Sequence, residues 1–290
     1  MLQITENNFE EIVKNNPNGV VMSNADYRAS CGISSTELKK ILKSPAHYRY
    51  WKDNPEDTDT PSLLFGRACH KYVLETYDFY NEFAVAPVCD RRTREGKQEW
   101  VEFAENSKGK DVITTEQFEQ IDAMRNAMLA TPFVSKLING DHEMSFFWAD
   151  KDTGLYCKCR PDSINHKLKI IVDYKTCDNA ETQHFMKKSI DLGYDLQASY
   201  YLDGVKANTG EDYIFVFIAQ EKKPPYAVNI LQTDEIFIRS GREIYKSMLQ
   251  TYKECCESGN WYGYMGADNQ INSLGVPKWL ENMLGEESEE

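Results

Sequence analysis

The sequence predicts an α/β protein with a central mixed sheet flanked by helices, and three observations carry that prediction. The first is helical periodicity in the first half of the chain. Leu38, Ile41 and Leu42 fall on one face, an apolar stripe runs through residues 64–75, and residues 115–138 keep the same spacing. The second is a block of short apolar, β-branched runs at 144–149, 155–160 and 167–175, separated by turn residues. The third is a helical stretch, 181–206, between the strand ending at Lys175 and the next strand, which starts at Tyr213. Parallel neighbours need a crossover of this kind, so the sheet is mixed.

Taken in order, residues 1–32 read as a lead-in. Ser34-x-x-Glu37 is a capping box that opens the first amphipathic helix, and Ser44-Pro45 ends or kinks it. Residues 54–61 form a polar loop before the helix that bears Gly66 and His70. Residues 79–111 show no period and read as irregular, with short extended pieces. The helix at 115–138 breaks near Thr131-Pro132. Lys151-Asp152-Thr153-Gly154 turns between the first two strands, and Asn165-His166-Lys167 turns into the third, whose Leu168–Val172 run reads as buried. The helical stretch 181–206 divides near Gly193. Strands at 213–220 and 226–232 flank a Lys222-Lys223-Pro224-Pro225 turn, and Thr233-Asp234 opens a last long helix to about Ser258. Trp261-Tyr262-Gly263-Tyr264 and Trp279-Leu280 suit a core, a subunit contact or a partner-docking segment equally. The tail from Gly285 to Glu290 is acidic and has the composition of a disordered end. The resulting division is a lead-in over 1–32, a main domain over 33–264 and a C-terminal extension over 265–290.

The chemistry concentrates in Arg160-Pro161-Asp162 and Asp173-Tyr174-Lys175. A hairpin folded about residues 165–167 sets Asp162 opposite Asp173, where Cβ atoms are about 5 Å apart and two carboxylates can share one cation. Asp173 and Lys175 are two apart on a strand and share a face. Hard oxygen ligands with room for water suit Mg²⁺, with Mn²⁺ able to substitute. Such an ion polarises a phosphodiester and acidifies bound water. Lys175 then orients or deprotonates that water, or neutralises developing charge. Service as a base requires a lowered pKa, which burial and a nearby cation favour. On its own, Asp-x-Lys is equally an ordinary strand-end ion pair. Gln197 and Tyr201 stand i, i+4 on a later helix and share a face.

Gly66…His70, Asp162, Asp173-Tyr174-Lys175 and Gln197…Tyr201, in that order, resemble the PD-(D/E)xK nuclease superfamily in its RecB-like branch. The opening Ile33-Ser34-Ser35-Thr36-Glu37-Leu38-Lys39-Lys40, followed by Ser44-Pro45-Ala46-His47-Tyr48, is similar to the start of RecE-type exonuclease domains (exodeoxyribonuclease VIII and phage relatives). The likeness runs from Ile33 to Tyr262. It implies a restriction-endonuclease-like core with Asp162 and Asp173 as metal-binding acids, Lys175 as the catalytic lysine and His70 as a metal ligand or active-site contact. It also implies Gln197 and Tyr201 as residues that contact DNA and brace the site. Glu143 matches an extra acid of lambda-type exonucleases, or is simply a solvated strand-start residue, and Glu75 is a similar case. The implied activity is Mg²⁺-dependent degradation of the 5′ strand of linear duplex DNA, leaving a 3′ overhang for a RecT-type annealing recombinase. The implied assembly is a ring-shaped homo-oligomer, a trimer or tetramer, that threads the DNA. An endonuclease of the same superfamily, or an inert DNA-binding scaffold on the fold, are the other readings.

Composition narrows this further. A net charge of −13 argues against a protein that coats DNA non-specifically, though not against a nuclease with a local basic channel. Channel candidates are Lys39, Lys40, Lys43, Arg49 and Lys52 in one group and Arg91, Arg92, Arg94 and Lys97 in another, with Arg91, Arg92 and Arg94 favoured; each group is otherwise a solvated face. At 41% hydrophobic residues the chain builds a substantial core. It has no apolar run long enough for a membrane span and no signal-peptide pattern, so a cytoplasmic location is expected. The eight cysteines are expected to be reduced. Cys157-x-Cys159 alternates along a strand and Cys255-Cys256 is adjacent. Neither gives the spacing of an iron–sulfur cluster or a structural zinc, and none is expected.

Overall fold

The computed structural model of the chain describes residues 3–54 and 60–286. The polar loop at 54–61 lies mostly outside them, as do Glu287–Glu290 of the acidic tail. Gly285 and Glu286 fall in a terminal helix rather than in a disordered end.

The first helices are α1 (Phe9–Asn15) and α2 (Asn24–Ala29). Helix α3 (Ser35–Lys43) starts as the capping box dictates: the Glu37 carboxylate accepts the Ser34 N–H at 2.9 Å and the Ser34 hydroxyl accepts the Glu37 N–H at 3.4 Å. Leu38 and Ile41 are buried, but Leu42 is half exposed, so the apolar face is narrower than its spacing suggests. Ser44 is extended and caps α4 (Pro45–Asp53), whose first residue is the proline. Helix α5 (Pro61–Leu74) carries His70.

Residues 79–111 are not irregular. They fold as α6 (Phe79–Glu82), β1 (Phe83–Val85), α7 (Arg94–Asn106) and β2 (Asp111–Ile113), with β1 and β2 paired in parallel. Helix α7 escapes a periodicity reading because it has almost no core face: Gly96 is its one buried residue. Helices α8 (Thr115–Ala130) and α9 (Val134–Leu137) follow, with the expected break at Thr131-Pro132.

The sheet holds β3 (Asp141–His142), β6 (Ser163–Asn165), β7 (Ile170–Cys177), β8 (Ile214–Glu221) and β9 (Val228–Gln232), side by side in that order. Only β7 and β8 run parallel, joined over α10 (Thr182–Asp191) and α11 (Tyr194–Thr209). A separate hairpin is formed by β4 (Phe146–Ala149) and β5 (Tyr156–Cys159). Helix α12 (Glu235–Ser258) and, last, α13 (Lys278–Glu286) complete the chain. The third predicted strand starts later than its apolar run: Leu168 lies in the turn, partly exposed, and Lys169 has φ +56°.

Alternation along β7 and β8 builds two cores, one on each face of the sheet. Ile171, Phe215 and Phe217 join Leu38, Leu196 and Leu249 from α3, α11 and α12. Val172, Tyr174 and Ile218 join Phe65, Cys69, Ile121 and Met124 from α5 and α8. Helices α11 and α12 meet closely at Gly241, where a Cβ would stand 1.9 Å from the Asp195 carbonyl oxygen.

The lead-in folds onto the β4–β5 hairpin. Ile4, Phe9, Val20 and Met22 bury with Phe147, and Phe9 stacks on Tyr156 at 4.0 Å between ring centroids. Lys158, buried on β5, donates to the carbonyls of Tyr27, Arg28 and Ser30 at 3.1, 3.3 and 2.6 Å. It thereby caps the C-terminus of α2 with a cation.

Candidate active site

The β6–β7 hairpin sets the site. Its register pairs Ser163 with Val172, so Asp162, one residue before β6, stands opposite Asp173. Beyond Val172 the β6 side of β7 is open, and Asp162 fills it: its Oδ2 accepts the Tyr174 backbone N–H at 2.7 Å. A residue's N–H and C=O face the same neighbour in a strand, so the Tyr174 carbonyl also points to the Asp162 side. Asp173 and Lys175 share the face covered by α3 and α11, as the two-residue spacing requires, and Lys175 Nζ lies 2.6 Å from Asp173 Oδ2.

The surrounding helices then close on these groups. From α11, Gln197 Nε2 donates to Asp173 Oδ1 at 2.5 Å, while Gln197 Oε1 faces Lys175 Nζ at 3.5 Å. From α5, His70 Nδ1 lies 3.3 Å from Asp162 Oδ2, and its ring is 4.9 Å from that of Tyr174. Glu143, at φ +53°, pairs with Arg160 at 3.0 Å, and its N–H donates to the Asp162 carbonyl at 3.3 Å. A cleft of about 790 Å³ opens over the site, lined among others by His70, Glu143, Arg160, Lys175 and Tyr194. Gly66 lines it too, and a Cβ there would meet nothing within 4 Å.

Electrostatics follow from burial. Burial alone would push the His70 imidazole toward neutrality, but the Asp162 carboxylate outweighs it and raises the pKa. Burial opposes ionisation of Asp162, yet His70, then Lys175 and the Tyr174 N–H, hold its carboxyl below the usual range. Burial pushes Asp173 up, with the Lys175 ammonium opposing. Glu143 rises to about 7, first through burial and then through the charge of Asp162. Lys175 moves opposite to the expectation for a base. Burial lowers its pKa, but Asp173 and Asp162 more than reverse that, and it is held as an ammonium above the ordinary lysine range.

Two opposed carboxylates fit a hard divalent cation. Asp173 Oδ2 is buried with no hydrogen-bond donor aligned on it, so its lone pairs are committed only through the ion pair to Lys175. Among the described residues no three His, Cys, Asp or Glu side chains already converge in coordinating positions. The Lys175 ammonium, Gln197, His70 and the Tyr174 N–H occupy those carboxylates instead. Asp162 and Asp173, with His70 and Glu143 beside them, are the groups that would hold the ion.

Of the residues singled out in the sequence, His70, Asp162, Asp173, Lys175, Gln197 and Glu143 come together here. Tyr201 sits one turn beyond Gln197 and packs on Phe215 with ring centroids 6.3 Å apart. Arg91, Arg92 and Arg94 do not line the cleft. They stand at the start of α7, where Arg92 is paired with Asp90 at 2.9 Å and Arg91 lies 3.2 Å over the Trp100 ring. Their placement in a region without periodicity fails for the reason α7 was missed. Glu75 lines the cleft, paired with Lys71 at 2.9 Å. Sequence reasoning missed Tyr194 and the place of Lys39. Lys39 Nζ reaches Gln197 Oε1 at 3.3 Å and, with Lys175, faces the Tyr194 ring. No local signal separates Lys39 from Lys40 or Lys43; only the packing of α3 on α11 does.

One solved structure shares this fold. A crystal structure described as "Putative exonuclease" from Eubacterium rectale superposes with a TM-score of 0.57 at 15% identity, covering 98% of each chain. A phage related exonuclease from Haemophilus somnus 129PT gives 0.33 at 13% identity, covering 81% of this chain and 99% of that one. No curated protein matches the sequence. A family model matches residues 34–272, a span that contains every group of the site from Lys39 to Gln197, and by it the chain belongs to the family described as PDDEXK-like domain of unknown function (DUF3799).

Proposed function

We propose that the protein is a metal-dependent nuclease, an exonuclease of RecE type acting on linear duplex DNA. The observation that carries this is the convergence of Asp162, Asp173 and Lys175 at one open strand edge, with Gln197 tying the acid to the lysine. Members of the PD-(D/E)xK superfamily generally depend on divalent metals, and the paired carboxylates suit one. Mg²⁺ is the proposed ion, with Mn²⁺ as a substitute. When bound, such an ion supplies Lewis acidity toward a phosphodiester and a nucleophilic water.

The chain's own residues do the rest. Gln197 fixes the Asp173 carboxylate through one oxygen and leaves the other turned to Lys175. Lys175, held protonated, neutralises charge that builds on the phosphoryl oxygens instead of removing a proton. His70, whose pKa the neighbouring carboxylate raises, lies 3.3 Å from Asp162 and favours its ionised form. Polarity from the 5′ end, 3′ overhangs, a ring of three or four subunits, a RecT-type annealing partner and a cytoplasmic setting rest on the likeness of residues 33–48 and the motif order to RecE-type enzymes.

The test is digestion of 5′-labelled linear duplex beside covalently closed circular DNA, with Mg²⁺ and with chelator. Label release from the linear substrate alone, abolished by chelator and by Lys175→Ala, is the expected result. Cutting of the circle would make the protein an endonuclease of the superfamily. Label released last would reverse the polarity, and undiminished digestion by Lys175→Ala would sink the site.

A further inference from the structure

Lys39 has no role in the function so far, and its surroundings give it one. It projects from α3 into the gap between α10 and α11, where a Cβ at Gly193 would stand 3.3 Å from its Cε. There its ammonium meets Gln197 Oε1 at 3.3 Å, the oxygen that Lys175 also approaches at 3.5 Å. The Tyr194 ring centroid lies 5.2 Å from Lys39 Nζ and 4.8 Å from Lys175 Nζ. Two ammonium groups thus lie within about 7 Å of each other on one carbonyl oxygen and one aromatic face, at a distance where like charges in a half-buried setting repel.

Only one of the two is neutralised. Lys175 pairs with Asp173, whereas no carboxylate among the described residues forms an ion pair with Lys39. One carbonyl hydrogen bond engages a single donor of the three an ammonium offers. Burial, and then the charge of Lys175, lower the Lys39 pKa to about 8, against a smaller opposing pull from Asp173 and Asp195. By contrast, Lys158 is buried with three backbone carbonyls around it and is fully engaged as a structural group. Tyr194 and Lys175, the two groups that Lys39 adjoins, both line the cleft.

We propose that Lys39 and Lys175, backed by Tyr194, form a two-ammonium site for a phosphodiester oxygen of the bound strand, which makes Lys39 an active-site residue. Gln197 spaces the two cations: its carbonyl oxygen takes one hydrogen bond from each and its amide nitrogen secures Asp173. Phosphate binding relieves the repulsion between the two ammonium groups. This assignment rests on the nuclease reading above, since it requires a nucleic-acid strand in the cleft.

The experiment measures binding of a fluorescein-labelled duplex with a single-stranded end, in chelator to prevent cleavage, across a KCl series. Lys39→Gln is expected to reduce the slope of log affinity against log salt by about one unit. Lys39→Arg, which keeps the charge, is expected to restore it. If Lys39→Gln does not fold, Lys39→Met keeps the stem packed on Gly193 and reads the same quantity. An unchanged slope in the neutral variant overturns the proposal. So does a fall in kcat with the slope intact, because Lys39 would then merely orient Gln197. Failure of the wild type to bind or cleave DNA would instead remove the nuclease reading, whereas a cleaving wild type with an unchanged variant slope removes only the role of Lys39.

Discussion

The arginines that open α7 and the lysines that face Gln197 are both basic groups in an acidic protein, and they are built in opposite ways. Arg92 is 90% exposed and grips Asp90 two residues away, while Arg91, just ahead of α7, sits over the ring of Trp100 in that helix. Each is satisfied by a sequence neighbour and leaves little for a ligand. Lys39 and Lys175 are brought together from residues far apart in sequence, share one acceptor, and hold one carboxylate between them. A run of positive charge in sequence therefore does not tell which cations are left short of an anion; tertiary packing decides that. Exposed ion pairs contribute little and are readily replaced by water; a half-buried cation without a partner is expensive and persists where something else recovers the cost.

That contrast can be broken most directly at Lys175. Lys175→Ala is expected to lower the cleavage rate by about a thousandfold and to cost about 3–5 kcal/mol in urea denaturation, because Asp173 is left buried and unpaired. The double variant Asp173→Asn/Lys175→Met should regain most of that stability and remain inactive. If it stays as unstable as the single variant, the ion pair is not what Lys175 contributes to the fold. Gln197→Leu comes next: loss of the amide frees Asp173 and lets the two ammonium groups move apart. About a hundredfold loss of kcat is expected, with a stability cost of about 1–3 kcal/mol for the unmet polar groups, read by steady-state kinetics and denaturation.

A smaller effect is expected at Glu143. Its carboxyl titrates at about 7 in the folded chain against 4.5 ordinarily, so between those values the folded state holds a proton that the unfolded state has released. Stability from this group is complete below pH 4.5 and falls as pH rises toward 7. Glu143→Gln should flatten that fall in a series of melting curves, leaving the contribution of His70, which has the same sign, in place. An unchanged pH profile would mean that Glu143 is solvated like a surface acid. Smallest of all, Arg91→Ala and Arg92→Ala should change DNA affinity less than twofold and stability by less than about 0.5 kcal/mol. A marked loss of salt dependence in either would reverse the comparison and return the α7 arginines to the DNA path.

The parts of this site that the sequence discloses are those governed by short-range geometry. Asp173 and Lys175 face the same way because strands alternate, and Asp162 opposes Asp173 because the hairpin is short enough for its turn to set the register. Gln197 is legible because it stands i, i+4 from Tyr201 on one helix of the crossover. What stays hidden depends on distance along the chain or on the absence of a core face. Helix α7 buries one residue and so leaves no apolar stripe to detect. Lys39 is 158 residues from Gln197, and nothing in Glu37-Leu38-Lys39-Lys40 marks which lysine turns inward. The direction of the Lys175 pKa is hidden for a related reason: burial and two carboxylates pull it opposite ways, and only their distances decide the outcome.

The Lys158 ammonium has a practical consequence for anyone who shortens this protein. The span matched by the family begins at residue 34, an inviting place to cut. A chain started there would lose the three carbonyls that hold this cation and the four apolar side chains that cover Phe147. It would present a bare lysine and a bare aromatic ring on the hairpin that packs against α11. Such a fragment would aggregate or melt early even with every group around the paired carboxylates intact, and its inactivity would be mistaken for a statement about catalysis.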